Sequence, residues 1–296
     1  MKKKAYFTSK TLPYFLILPQ VLVTVTFFYW PALQGLAQSL MISDPFGLHS
    51  RFVWFDNYIT LFKDPLYLKS VFITLVFSAS TAFTAISIGL FIAAMANRAL
   101  KFKPLVRTML IWPYAVAPAI SGILWLFLLH PSFGVVALAF KKWFGFDWNP
   151  VLSGTDALVM VIMASSWKQV SYNFVFFVAG MQAIPTSLME AAAMDGAGPF
   201  RRFWTITLPL LSPTLFFVTV MNIIFSFFET FGIIHTVTQG GPGGATNILV
   251  YKVYQDGFIG LNLGSSAAQS IVLMSLIIVI TLLQFKYVER KVQYTV

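Results

Sequence analysis

Long apolar runs separated by short polar stretches set the rhythm of this chain. They cover roughly residues 12–40, 71–97, 105–129, 157–184, 207–237 and 265–287, and each reaches the about 20 apolar residues that a bilayer-crossing helix needs. The pattern predicts six helices. Between the fourth and fifth runs the chain becomes polar and patterned. Pro185 closes the fourth run, and Ser187-Leu188-Met189-Glu190 has the spacing of a capping box, which predicts a short helix starting there. That helix should stop at Gly196, a residue suited to the left-handed turn after a helix, and Pro199 suits the first turn of a second helix. On the second helix Phe200, Phe203, Trp204 and Leu208 recur near helical spacing, while Arg201, Arg202 and Thr205 form another stripe for water or headgroups. Alanines 191 to 193 permit close approach by a partner; a helix pair lying on lipid with no partner is the alternative.

Composition strengthens the membrane reading, because 58% hydrophobic and 10% charged residues leave too little polar surface for a soluble globule of 296 residues. The first run follows Lys2, Lys3, Lys4 and Lys10 as in a signal peptide, but it is too long and no small-residue cleavage site follows, so it reads as a retained anchor. Charge sets the orientation. With both termini cytoplasmic, Arg98, Lys101, Lys103, Arg107, Arg201, Arg202, Lys286, Arg290 and Lys291 join the four amino-terminal lysines inside, so 13 of 20 basic residues are there. The outer loops balance, and the net charge of +10 is all cytoplasmic. It reflects topology and not nucleic-acid binding.

Other chemistry is sparse. There are no cysteines, and the three histidines, His49, His130 and His235, fall singly near outer span ends, which argues against a metal centre. No Gly-rich phosphate loop precedes a helix, so a nucleotide would have to be bound by a partner. Lys168 and Glu229 fall inside the fourth and fifth runs, where a charge is costly and a functional candidate by default. Ser226 and Asn222 lie three and seven residues before Glu229, on roughly one helix face. Lys168 and Glu229 either neutralise each other or face a water-filled cavity, where the ammonium can meet an anion with Trp167, Tyr172 and Asn173 beside it, and Asn222 and Glu229 can accept or donate hydrogen bonds. Pro113 and Pro118 predict bending of the third span.

The stretch Glu190-Ala191-Ala192-Ala193-Met194-Asp195-Gly196-Ala197-Gly198-Pro199, followed by Ile206-Thr207-Leu208-Pro209, resembles the signature loop of permease subunits of binding-protein-dependent ABC importers, in their carbohydrate-uptake branch. Phe52-Val53-Trp54-Phe55-Asp56-Asn57-Tyr58 and Thr238-Gln239-Gly240-Gly241-Pro242 resemble further elements of sugar-type permeases. Asp44-Pro45-Phe46-Gly47, Trp112 to Pro118, Trp167 to Phe174 and Ser265 to Ser270 are similar to the A-type permeases of sn-glycerol-3-phosphate importers.

The resemblance implies an all-α membrane protein of the type I ABC importer permease fold. Residues 1–69 would hold a cytoplasmic tail, the first span and an outer loop; 70–287 a five-helix transmembrane domain with a coupling loop at 185–208; and 288–296 a tail. It implies that Glu190, Ala191, Ala192, Asp195, Gly196 and Ala197 transmit closure of a partner ATPase. Partners would be a second, homologous permease, two copies of the ATPase and an external binding protein docking on the outer loops. The chain would be no enzyme and carry no cofactor, ATP and Mg being used by the ATPase. Its cargo would be sn-glycerol 3-phosphate or a related glycerophosphodiester; the alternative is a neutral oligosaccharide or polyol. A secondary transporter or channel would need coupling-ion or selectivity residues, and an intramembrane enzyme convergent catalytic groups; neither pattern is visible.

Overall fold

The computed structural model describes residues 11–44, 49–98, 104–145 and 147–287. The basic clusters 2–10, 101–103 and 290–291, the segment Pro45-Phe46-Gly47 and the tail 288–296 lie outside the described residues. The described residues are mostly helical, with one hairpin and several turn-rich connections. Helix α1 spans Leu12–Ser39; strands β1 (Met41–Ser43) and β2 (Ser50–Phe52) pair antiparallel. There follow α2 (Asp56–Lys63), α3 (Pro65–Arg98), α4 (Pro104–Ala115), α5 (Pro118–Leu128), α6 (Val135–Phe144), α7 (Gly154–Gln182) and α8 (Thr186–Met194). Then come α9 (Pro199–Leu210), α10 (Ser212–Phe228), α11 (Phe231–Val237), α12 (Leu249–Tyr254) and α13 (Leu263–Tyr287). Among the described residues three helices are by themselves long and apolar enough to cross a membrane, and bent pairs raise the number to six if each counts as one span.

Contacts divide the chain into two compact units, Met1–Lys63 with Val253–Val272, and Asp64–Lys252 with Leu273–Val296. In the first unit α1 exposes apolar side chains all round, as a helix solvated by lipid does. Its end is tied by the Phe52 to Tyr58 stretch. Asn57 Nδ2 donates to the carbonyls of Ser39 (2.8 Å) and Met41 (2.9 Å), and Tyr58 donates to Ser39 Oγ at 2.7 Å. The Asn57 amide thus satisfies the Ser39 carbonyl that the helix terminus leaves open and the Met41 carbonyl just beyond it, while Tyr58 holds the Ser39 hydroxyl. In the same unit Gln269 donates to Asp256 (2.5 Å) and Ser266 to the Val253 carbonyl (2.8 Å), which gives the polar Ser265 to Ser270 stretch a structural use.

The second unit is built on α3 against α7. Lipid is as apolar as leucine, so helices in a membrane gain most from close backbone approach and interhelical hydrogen bonds. Both are present. At Gly89 an added Cβ would stand 2.8 Å from Asn173 Cβ and 3.3 Å from the Val170 carbonyl oxygen. Asn173 and Asn222 exchange amide hydrogen bonds between α7 and α10 at 2.7 and 3.3 Å, and both side chains are fully buried. Beside them Ala93, Phe174, Phe177, Val178, Leu211 and Val218 close the core.

The third span is not one helix. Pro113 and Pro118 predict bending, and the chain breaks between Ala115 and Pro118, with α4 and α5 inclined by 110°. Pro118 supplies no N–H and opens α5, so the last carbonyls of α4 have no helical donor. Lys168, midway along α7, provides one: its Nζ donates to the carbonyls of Tyr114 (3.3 Å) and Val116. The fifth span is interrupted as well, at Glu229 and Thr230. Beyond the two interruptions α5 and α11 pack together, Thr236 Oγ1 donating to the Ala119 carbonyl at 3.3 Å.

Two outcomes test this packing. Gly89→Val inserts methyl groups where α3 meets α7, and overpacking of about 1–3 kcal/mol lowers the apparent melting temperature of the solubilised protein. Lys168→Met strips the donor from the broken helix end, at about 1–3 kcal/mol for buried unsatisfied carbonyls. Glu229→Gln, at an exposed helix end with no ion pair among the described residues, changes stability by no more than about 0.5 kcal/mol. Scanning fluorimetry of the three variants reads both effects.

Candidate functional site

The polar loop between the fourth and fifth spans forms two short helices. Helix α8 begins after Pro185 without a side-chain cap, so the capping box expected from Ser187 and Glu190 does not form. Both residues lie inside the helix, and Pro185 alone starts it by ending the fourth span. The stop is as the sequence predicts. Asp195 is the C-cap and Gly196 adopts φ 75°, while the Ala197 N–H reaches the Ala192 carbonyl (2.9 Å) and the Gly196 N–H that of Ala193 (3.1 Å). This double bond pattern closes α8 and needs a left-handed residue at 196.

Glu190, Ala191, Asp195 and Gly196 are exposed, and Ala192 and Ala197 are half-buried. Neither Glu190 nor Asp195 forms an ion pair among the described residues. A carboxylate at the C-terminal end of a helix opposes the helix dipole, so Asp195 gains nothing from its own helix. Met194 beside it is 89% exposed, an apolar tip on a polar loop that the sequence reading passed over. Its signal was weak, because one methionine among apolar residues has no period.

The second helix departs from its expected stripes. Phe203–Thr207 forms a π turn, the Leu208 N–H bonding the Phe203 carbonyl, two residues ahead of Pro209. A proline cannot sit in an unbroken ladder, and a wider turn is one way of absorbing it. Helix α1 does the same ahead of Pro31, with a π turn at Val25–Tyr29. Arg202, just ahead of this turn, departs from the expected wet stripe. It is half-buried and donates from Nη1 to the Met189 carbonyl at 3.2 Å, and Thr207 Oγ1 meets Met189 Sδ at 4.0 Å. Arg202, Thr207 and Met189 therefore clasp α9 to α8.

Within the membrane the expected cluster divides. Lys168, Trp167 and Tyr172 gather at the third-span break: Trp167 lies edge-on to Trp112 and Trp125 at 5.8 and 6.3 Å between ring centroids, and Tyr172 lies 5.4 Å from Tyr114. Phe176 and Phe217 continue this aromatic row toward the loop, at 4.7 and 5.0 Å between successive centroids. Trp112 and Tyr114 are each 51% exposed, so the row has an open side. Asn173, Asn222 and Ser226 do not join it. All three are fully buried, the asparagines bonded to each other and Ser226 Oγ donating to the Asn222 carbonyl at 2.8 Å. Glu229 forms no ion pair with Lys168 among the described residues, although its charge still acts on the ammonium; it is the exposed C-cap of α10. Sequence spacing puts Asn222, Ser226 and Glu229 on one face but does not say that two of them are used up in helix packing. Tyr114, Phe176 and Phe217 were invisible as site residues because aromatics in a span look like core.

The family described as "Binding-protein-dependent transport system inner membrane component" matches residues 85–294. The sn-glycerol-3-phosphate transport system permease protein UgpA of Rhizobium meliloti (strain 1021) is 53% identical over 292 residues, covering 99% of both chains. Its namesake in Agrobacterium fabrum (strain C58 / ATCC 33970) is 52% identical over 288 residues, covering 97% of this chain and 98% of its own. Among solved structures, a bacterial ABC transporter that imports the acidic polysaccharide alginate matches with a TM-score of 0.80 at 23% identity, over 94% of this chain and 95% of its own. The alginate transporter bound to its pentasaccharide-loaded periplasmic protein gives 0.83 at 22% identity, over 96% of each chain. Three helices and three bent helix pairs apolar enough to cross a membrane, a two-helix loop whose first helix stops at Gly196, and full-length relatives lead to one conclusion: the chain belongs to the family of inner membrane components of binding-protein-dependent transport systems.

Proposed function

We propose that this permease imports sn-glycerol 3-phosphate or a related glycerophosphodiester, in an ATP-driven complex with a second, homologous permease, two ATPase copies and an external binding protein. The observation that carries the cargo is the likeness, over nearly the whole chain, to permeases named for sn-glycerol-3-phosphate transport. Both termini and the 185–208 loop lie on the cytoplasmic side, as the distribution of Lys and Arg argues. The chain hydrolyses no ATP and holds no cofactor; ATP and Mg belong to the partner ATPase.

In this reading α8 docks into the ATPase through Glu190, Ala191, Ala192, Asp195, Gly196 and Ala197. The carboxylates, without an ion pair among the described residues, and the exposed Met194 support it. Closure of the ATPases pulls α8, the Arg202 clasp passes the movement to α9, and spans four and five carry it to the breaks in the third and fifth spans. The pathway follows the open aromatic row, with Trp167 and Tyr172 at the third-span break and Glu229 at the fifth. Lys168 stands where an ammonium can exchange carbonyl partners for a cargo phosphate.

Two experiments test these assignments. Gly196→Pro, or charge reversal at Glu190 or Asp195, leaves assembly intact and lowers cargo-stimulated ATP hydrolysis at least about tenfold, a loss of about 1.4 kcal/mol or more in coupling; normal stimulation in proteoliposomes removes the loop from the mechanism. In the same reconstituted complex with its binding protein, sn-glycerol 3-phosphate stimulates hydrolysis and glycerol or maltose does not. Stimulation by maltose alone transfers the protein to neutral-sugar import.

A further inference from the structure

Helix α6 exposes Val135, Leu138, Trp143 and Phe144, the last two at 74% each. Its opposite face is packed, and what it packs on sets its level. Ala137 shares a buried cluster with Leu129 at the end of α5 and Met160 of α7, and Val136 and Phe140 close on the same cluster beside Trp125 and Met163. Met160 and Met163 lie four and seven residues past Asp156, the outermost charge of α7, which is about 6 and 10 Å further along that helix. The polar zone of one bilayer leaflet is only about 5–8 Å deep. Helix α6 therefore packs beside the spans, where headgroups give way to acyl chains, and not on top of them.

Two tethers hold it at that level. Trp148 Nε1 donates to the Leu129 carbonyl at 2.9 Å, and the Asn149 N–H donates to Asp156 Oδ2 at 3.0 Å, so the segment that carries α6 is fixed to both α5 and α7. The exposed surface also continues that of a membrane-crossing pair: Phe127 of α5 is exposed, and its ring centroid lies 5.9 Å from that of Phe133, itself exposed just ahead of α6. Along α6 the exposed aliphatic residues, Val135 and Leu138, come first, and Lys141, Lys142 and Trp143 follow. Lys141 meets Asp147 at 3.2 Å, whereas Lys142 is exposed and forms no ion pair among the described residues. Aliphatic residues at one end with tryptophan and lysine at the other match the order of depths from acyl chain to headgroup.

We propose that α6 is an interfacial anchor, with Val135 and Leu138 against acyl chains and Trp143 and Lys142 among the headgroups. An amphipathic helix seated in this way buries its apolar face about 5–10 Å into the boundary layer, the level at which α6 is packed. This stretch of outer loop is thereby turned to lipid and withdrawn from the surface expected to receive the binding protein. Which leaflet it occupies rests on the orientation proposed above; that it sits at an interface does not.

The sequence has no cysteine, so Val135→Cys, Leu138→Cys and Asp147→Cys each accept a single nitroxide label. Power-saturation electron paramagnetic resonance then reads depth in the assembled transporter in proteoliposomes. At 135 and 138, oxygen, which concentrates in hydrocarbon, is expected to relax the label several-fold more than a water-soluble nickel chelate does; at 147 the order reverses, and adding the binding protein changes neither 135 nor 138. Preference for the nickel chelate at 135 and 138 puts α6 in water, shielding from both reagents puts it under a second permease, and loss of accessibility on adding the binding protein makes it part of the docking surface. Each of these overturns the proposal. The labels are read without ATP or cargo, so a failure of the cargo assignment and a failure of the anchor show in different experiments.

Discussion

A helix that stops inside a bilayer leaves carbonyls that water cannot reach, and the architecture of the second unit follows from how that problem is met. The third span stops at Ala115 and restarts at Pro118, and the donor for its stranded carbonyls arrives from another span as the ammonium of Lys168. A buried charge and a broken helix are each unfavourable in hydrocarbon, yet together each supplies what the other lacks. The arrangement fixes the height of α7 against the break and gathers Trp112, Trp125 and Trp167 around it.

Much of this was legible in the sequence. Hydrophobic runs gave the spans to within a few residues at most ends, because a bilayer imposes length on every helix alike. The exception is the second, where α3 begins at Pro65, several residues before the run at 71, since the polar Lys69 and Ser70 sit on a helix extended beyond the apolar part. The turn at Gly196 and the start at Pro199 were readable because each depends on one residue's backbone chemistry.

What was not readable depends on partners far away in the chain. Nothing local distinguishes Asn173, bonded to Asn222, from a polar residue facing cargo, nor shows that Lys168 meets carbonyls 52 and 54 residues earlier instead of Glu229. The π turn before Pro209 escaped for another reason. A helical wheel assumes a constant period, and one wide turn breaks it; the wheel also does not show that Arg202 meets the Met189 carbonyl on α8.

The reciprocal amide pair has a mechanical consequence. Spans four and five lead into and out of the two-helix loop, and Asn173 and Asn222 lock their register with both side chains fully buried. Sliding one span by a helical turn, about 5.4 Å, would strand two amides in hydrocarbon. A lateral swing of both together strands none. A displacement that reached α7 or α10 at this level would therefore tilt the two helices together and not slip one past the other.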